Sequence, residues 1–198
     1  MKIEVIEIAG FASALKALHL PFGGKEKSEI DAYFDLSQDR LYEDFAEKTY
    51  KGDFEMVDSI ECGSHCIISP ADISLLTKLV KAGDEHAKVL RGVIVYAKIT
   101  APVFWWCEGE TYRAGHERLC SESTMHIDMK GLSGEELVKA KSEMPMGKEL
   151  TKIDFFSYQA LRNIYKQRRC HRLPHWHTFC DWIKTLPFAE ELITCGIE

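Results

Sequence analysis

The order of hydrophobic patterns along the chain predicts an α+β fold. Three observations carry that expectation. Residues 2–8 alternate polar and apolar positions, as a half-buried strand does. Residues 91–99 are rich in Val, Ile and Tyr, the residue types that suit a strand. Most of the remainder repeats its apolar residues at helical spacing, so strands and helices are segregated rather than alternating. The 198 residues suit a single domain, 1–198, with a buried core. Apolar residues make up 45% and charged residues 28%, an ordinary globular balance. A net charge of −6 argues against a general nucleic-acid binder or an anionic-membrane binder. No apolar run has the length of a signal peptide or a membrane span, so a cytoplasmic protein is expected.

The elements follow in order. After the first strand, residues 10–19 read as a short helix with Ala14, Leu15 and Leu18 on one face. Leu20-Pro21-Phe22-Gly23-Gly24 breaks it. Leu41, Tyr42 and Phe45 suggest a short helix near 38–48, and Cys66-Ile67-Ile68 a strand end. A helix then opens with Ser69 as N-cap, Pro70 in the first position and Asp72 three residues on, and closes at Gly83. Ile73, Leu76, Leu79 and Val80 form its apolar face. The strand over 91–99 is closed by Thr100-Ala101-Pro102. Residues 127–150 read as an excursion from the core, holding a helix over 135–143. Residues 153–169 read as helical, with Leu161, Ile164 and Tyr165 apolar. Pro174 starts another helix, whose Trp176, Phe179, Cys180 and Ile183 share a face. Pro187 opens a last turn or helix.

Two stretches carry more chemistry than a structural domain needs. Trp105 to His126 holds two Trp, Tyr112, Arg113, Arg118, four Glu and two His, with Ser121 and Ser123. Arg162 to His177 holds Arg162, Lys166, Arg168, Arg169 and Arg172, with His171, His175 and His177. Guanidinium forks bind phosphate or a base edge in two-point contact, and aromatic rings stack on bases, so this pairing suits a nucleotide. A solvated basic helix face is the plainer alternative. Phosphate-binding glycine loops and the nucleophile-elbow pattern are absent. Cys120 with His116 or His126 is a conceivable nucleophile and base, with no motif to position it. The seven cysteines form no secreted framework. Cys62, His65 and Cys66 with the Cys170–His177 cluster hold metal-ligand chemistry, but their spacing fits no standard zinc pattern, and no metal is assigned.

Ala101-Pro102-Val103-Phe104 and Thr111-Tyr112-Arg113, followed at a fixed interval by Ser123, resemble the central motif of flavin-dependent thymidylate synthases (ThyX). That motif is Arg-His-Arg, seven residues, then Ser, after a strand and an aromatic helix. Leu161-Arg162, Arg169 and Trp176 resemble the long helix of that family, and the likeness covers residues 91–126 and 155–185. It implies an α+β fold with an antiparallel sheet and long C-terminal helices. It also implies a homotetramer with FAD between subunits, and conversion of dUMP to dTMP with methylenetetrahydrofolate and NADPH. By the same resemblance Arg113 contacts the nucleotide, Ser123 lies beside the pyrimidine, and Arg169 touches and activates the base. The motif His and second Arg, on the flavin side, fall on Ala114 and Gly115. His116 and Arg118 are the nearest groups that could replace them. Reduced flavin binding and a non-catalytic nucleotide binder on the same fold therefore stand beside the enzyme reading.

Overall fold

Strand β5 (Ile94–Pro102) is the spine of the molecule. Its Val95, Ala97, Ile99 and Ala101 are fully buried, while Tyr96 and Thr100 are half-buried and Lys98 is exposed. Period-two burial of this kind is what a sheet with one covered face requires. The computed structural model describes residues 1–22, 33–35, 40–42, 65–66 and 70–197. Within them β1 (Lys2–Ala9), β5, β7 (Glu149–Ser157) and β6 (His116–Ser121) form an antiparallel sheet in the order β1-β5-β7-β6. A bulge between Val5 and Glu7 bends β1. Three short segments, β2 (Tyr33–Asp35), β3 (Arg40–Tyr42) and β4 (His65–Cys66), pair in the order β3-β2-β4.

The helices supply the other half of the core. Helix α1 (Phe11–His19) buries Ala14, Leu15 and Leu18, the face its spacing predicts. Helix α2 (Pro70–Ala82) buries Leu76 and Val80, and Gly83 ends it at φ 128°. The Asp72 carboxylate also accepts a bond from His19 Nε2 at 2.8 Å, tying α2 to α1. Helix α3 (Val103–Gly109) buries Trp105 and Trp106, so this aromatic pair is core. Between β6 and β7 come α4 (Thr124–Ile127) and α5 (Gly134–Ser142), and α5 buries no residue. Helices α6 (Tyr158–Arg168) and α7 (Pro174–Lys184) follow, then α8 (Ala189–Leu192). On α7, Trp176, Phe179, Cys180 and Ile183 are buried, as the spacing predicts.

Four local expectations change. Residues 153–157 are strand, not helix, and α6 begins only at Tyr158. The inward positions of β7 are Lys152, Asp154 and Phe156, so two charges interrupt the apolar alternation that marks a strand. Residues 40–42 are strand rather than helix, held by the ladder pairing Phe34 with Leu41; the rest of that expected helix lies outside the described residues, as do Ser69 and Cys62. The strand over 91–99 begins later and runs through Pro102, which is still in register with Glu149, and residues 88–91 form a 3-10 turn. Strand β6 gives no strand signal, because every residue after His116 on it is exposed. Among the described residues no helix is long and apolar enough to cross a membrane.

Candidate functional site

Helix α6 presents two different faces. Leu161 and Ile164 are buried in the core, with half-buried Tyr165 packed against them. Arg162, Lys166 and Arg169, spaced by four and three residues, line up on the other side. That side borders a groove of about 300 Å³, lined by Asp84, Arg162, Asn163, Lys166, Arg169, Gly196 and Ile197. Its size is at the lower end for small-molecule pockets. Arg162 is partly spent, because Nη1 donates to the Ile193 and Cys195 carbonyls at 2.8 Å each. Arg169 follows the helix as its C-cap and donates from Nη1 to the Lys166 carbonyl at 2.9 Å, which suits a cation at the negative end of the helix dipole. The remaining guanidinium edge of Arg169 and the exposed Lys166 ammonium make no further bond with a described residue. The groove is therefore a place where an anion meets two cations, with the Asp84 carboxylate also in its lining.

Arg168, one residue earlier, faces the other way. Its Nη1 pairs with Glu108 Oε2 at 3.0 Å, its Nε donates to Tyr112 Oη at 2.7 Å, and its guanidinium lies over the Trp176 ring at 4.6 Å. Trp176 Nε1 also donates to Glu108 Oε2, at 2.9 Å. These contacts lock α3, α6 and α7 together, and Arg168 has little capacity left for a ligand.

Arg113 sits in the turn between α3 and β6. It is exposed and makes no hydrogen bond or ion pair with a described residue. Its anchor is Tyr112, whose hydroxyl donates to Gln167 Oε1 at 3.0 Å and accepts from Arg168. Arg113 thus lies near the C-terminal end of α6, although it does not line the groove. Ser123 is the N-cap of α4, and its Oγ accepts from His126 N at 3.4 Å. Within one chain Arg113 and Ser123 lie at opposite ends of β6. The Gly115 carbonyl accepts from Ser157 N and the Thr151 carbonyl from Glu122 N. Six residue steps of β7 separate those two contacts, about 20 Å at ~3.4 Å per residue.

The positions beside Arg113 differ in capacity. Ala114 carries only a methyl group. Gly115 has φ 76°, and a Cβ there would lie 2.4 Å from Ser157 Oγ. That oxygen is already the cap of α6, accepting from Ala160 N at 3.1 Å. The turn therefore admits no side chain at 115 without displacing a helix cap.

His116 is buried, and both its nitrogens are used. Nε2 is hydrogen-bonded with Asp154 Oδ2 at 2.8 Å, and Nδ1 donates to the Tyr112 carbonyl at 2.7 Å. It cannot act as base for Cys120, which is exposed and makes only a long contact to the Ser121 carbonyl. Arg118 Nε faces Asp154 Oδ1 at 3.3 Å as an ion pair without hydrogen-bond alignment. Arg118 also reaches Glu110, at 3.0 Å, and Lys152 Nζ bonds the same oxygen at 2.6 Å while lying 4.4 Å from the Trp106 ring centre. Burial pushes the Glu110 carboxyl up, but the bond and charge of Lys152, with Arg118 beside it, outweigh this and hold it below its ordinary value. His116, Arg118 and their carboxylates are thus mutually committed. The histidines of the 171–177 segment disperse: His171 Nδ1 accepts from Leu173 N, His175 packs edge-on to Phe104, and His177 meets the His171 carbonyl. Among the described residues no group of three or more His, Cys, Asp or Glu could hold a metal.

Sequence reasoning singled out Arg169, Lys166 and Arg162 by their charge. It missed Asn163, Asp84 and the C-terminal residues 196 and 197, whose types carry no signal of their own.

No family model matches the chain, and no curated protein matches it in sequence. Solved structures do resemble it. One is the flavin-dependent thymidylate synthase ThyX from Helicobacter pylori, complexed with FAD and dUMP. It superposes with a TM-score of 0.65 at 11% identity, covering 98% of this chain and 97% of that one. Another structure of the Helicobacter pylori protein with FAD and dUMP gives 0.64 at 10% identity and the same coverage. The UMP/dUMP methylase PolB from Streptomyces cacaoi, bound with 5-Br dUMP, gives 0.57 at 11% identity, covering 98% of this chain and 94% of that one. The chain has the ThyX fold over nearly its whole length.

Proposed function

We propose that this chain is a ThyX-like protein that binds a pyrimidine nucleotide of the dUMP class. The observation that carries the reading is the α6 groove, where Arg169 and Lys166 offer uncommitted positive charge. Arginine forks and ammonium groups are the usual partners of phosphates and base carbonyls. The structural neighbours are described with dUMP or a dUMP analogue, which makes that nucleotide the first to test. Arg169 is assigned to the base, where it would stabilise charge developing on the pyrimidine. Arg113 is assigned to the nucleotide as a whole and Ser123 to positioning it. Since Arg113 and Ser123 lie at opposite ends of β6, a site using both draws on a second copy of the chain. This supports a homo-oligomer, and the tetramer implied by the sequence resemblance is the form proposed.

The flavin side of the motif does not fit FAD. Of the motif's three basic positions only Arg113, on the nucleotide side, retains a charged side chain; on the flavin side Ala114 offers none, and Gly115 has room for none. Losing charged hydrogen bonds costs about 1.5–3 kcal/mol each. Two such losses weaken flavin binding by about two to four orders of magnitude. Methylation of dUMP, with its NADPH and methylenetetrahydrofolate, remains the activity to assay because of the fold. A nucleotide-binding or sequestering protein without flavin is the second reading, and Gly115 is the observation that favours it.

Calorimetric titration with dUMP and, separately, with FAD tests both. The expected result is dUMP binding that Arg113→Ala and Arg169→Ala each weaken, with FAD weak or silent. Tight FAD binding would return the chain to the flavoenzymes. No binding of any pyrimidine nucleotide would overturn the functional reading.

A further inference from the structure

The ring of His116 is held by three contacts at once. It lies flat on Phe156, with ring centres 4.3 Å apart and an interplanar angle of 5°. Its Nε2 meets the Asp154 carboxylate and its Nδ1 the Tyr112 carbonyl. The carbonyl only accepts, and Arg118 Nε at 3.3 Å from Asp154 Oδ1 favours the ionised carboxylate, which also only accepts. With Asp154 ionised, both bonds exist together only if both ring nitrogens carry hydrogen, which makes the ring a cation. The counter-charge is Asp154, fully buried on β7, and Arg118 faces the far oxygen of that carboxylate. The remaining space beside His116 is a void of about 10 Å³, bordered by Trp106, Tyr112, Ile164, Trp176 and Phe179. That is too small and too apolar for water to replace either partner.

These contacts act on the turn that carries Arg113. The Tyr112 carbonyl is the last backbone oxygen before Arg113, and His116 fixes it. The Tyr112 hydroxyl is fixed by Arg168 and Gln167. On the other side of Arg113 the Gly115 carbonyl accepts from Ser157 N at 2.7 Å. The turn is clamped at both ends while the Arg113 side chain between them makes no hydrogen bond or ion pair with a described residue. A free cation on a fixed backbone is pre-organised for a ligand, because little backbone entropy remains to be lost on binding.

We propose that His116, held as a doubly protonated ring between Asp154 and the Tyr112 carbonyl, is the positioning residue for Arg113. This rests on the reading of Arg113 as a nucleotide contact. His116 itself touches no ligand. Its contribution is a fixed orientation of the Arg113 turn, worth one or two net hydrogen bonds of pre-organisation.

Two measurements test it. Nitrogen NMR of the histidine-labelled wild-type chain near neutral pH reads the ring directly. Both His116 nitrogens are expected at the shifts of protonated imidazole, and a neutral tautomer would overturn the proposal without any variant having to fold. Calorimetry with dUMP as the probe reads the coupling. His116→Phe, which keeps the stack on Phe156 but loses both donors, is expected to weaken binding about tenfold, and His116→Gln, which keeps one donor, about threefold. In the Arg113→Ala background His116→Phe is expected to add nothing. If Arg113→Ala weakens binding but His116→Phe weakens it further by the same factor, the positioning role is wrong and the nucleotide site stands. If Arg113→Ala is silent, the assignment of Arg113 falls and this inference falls with it.

Discussion

Replacing Gly115 by alanine tests the local geometry on which the flavin argument depends. The backbone at 115 has φ 76°, a region that costs a residue with a Cβ about 1–2 kcal/mol. The new Cβ would lie 2.4 Å from Ser157 Oγ, well inside contact distance. That hydroxyl can rotate away, but only by releasing Ala160 N and uncapping α6, which costs about 1 kcal/mol. The sum is about 2–3 kcal/mol, or a fall in Tm of about 5–10 °C for a chain of this size. Thermal and urea denaturation of Gly115→Ala, Ser157→Ala and the double variant measure it. The double variant is expected to lose about 1 kcal/mol less than the two single changes together, because the clash partner is gone. A Gly115→Ala cost below about 0.5 kcal/mol would refute the reasoning, and position 115 would then be open to a side chain after all.

Two further outcomes follow from the titrating groups. Burial pushes the Cys180 thiol up to about 11, so it should be alkylated by iodoacetamide far more slowly than exposed Cys107, Cys120 and Cys170; equal rates by peptide mass mapping would contradict the packing of α7. The Glu110 carboxyl is held below its ordinary 4.5, so its contribution is present above that value and is lost as pH falls through the lowered one. With the Glu110 side chain 45% exposed, the contribution is screened to under about 1 kcal/mol. Glu110→Gln should therefore lower Tm slightly at neutral pH and not at all in strong acid, whereas a difference that grows on acidification would reverse the sign of the argument.

Much of the fold was legible because many elements face the core on one side and water on the other. Strand β5 and helices α1, α2 and α7 carry their apolar residues at the period their backbone imposes. The same rule explains the failures. On β7 the inward positions include Lys152 and Asp154, which are tolerable only because Glu110, at the end of α3, and His116 and Arg118, on β6, neutralise them. Nothing near 152 or 154 in sequence announces those partners. On β6 the exposed residues carry no period at all.

The candidate site divides in the same way. Sequence alone marks Arg168 and Arg169 as neighbouring cations on one helix, and no local signal distinguishes them. The fold turns Arg168 inward, where Glu108, Tyr112 and Trp176 consume it, and turns Arg169 onto the groove with part of its charge unspent. Adjacent positions on a helix differ by about 100° in direction, so which arginine meets a ligand depends on what packs against each side. What the sequence determined by itself was the α+β class, most of the helix faces and the presence of basic and aromatic residues suited to a nucleotide. What only the tertiary structure decided was which charges are cancelled by partners distant in sequence and which remain free, because pairing acts through space while periodicity is read along the chain.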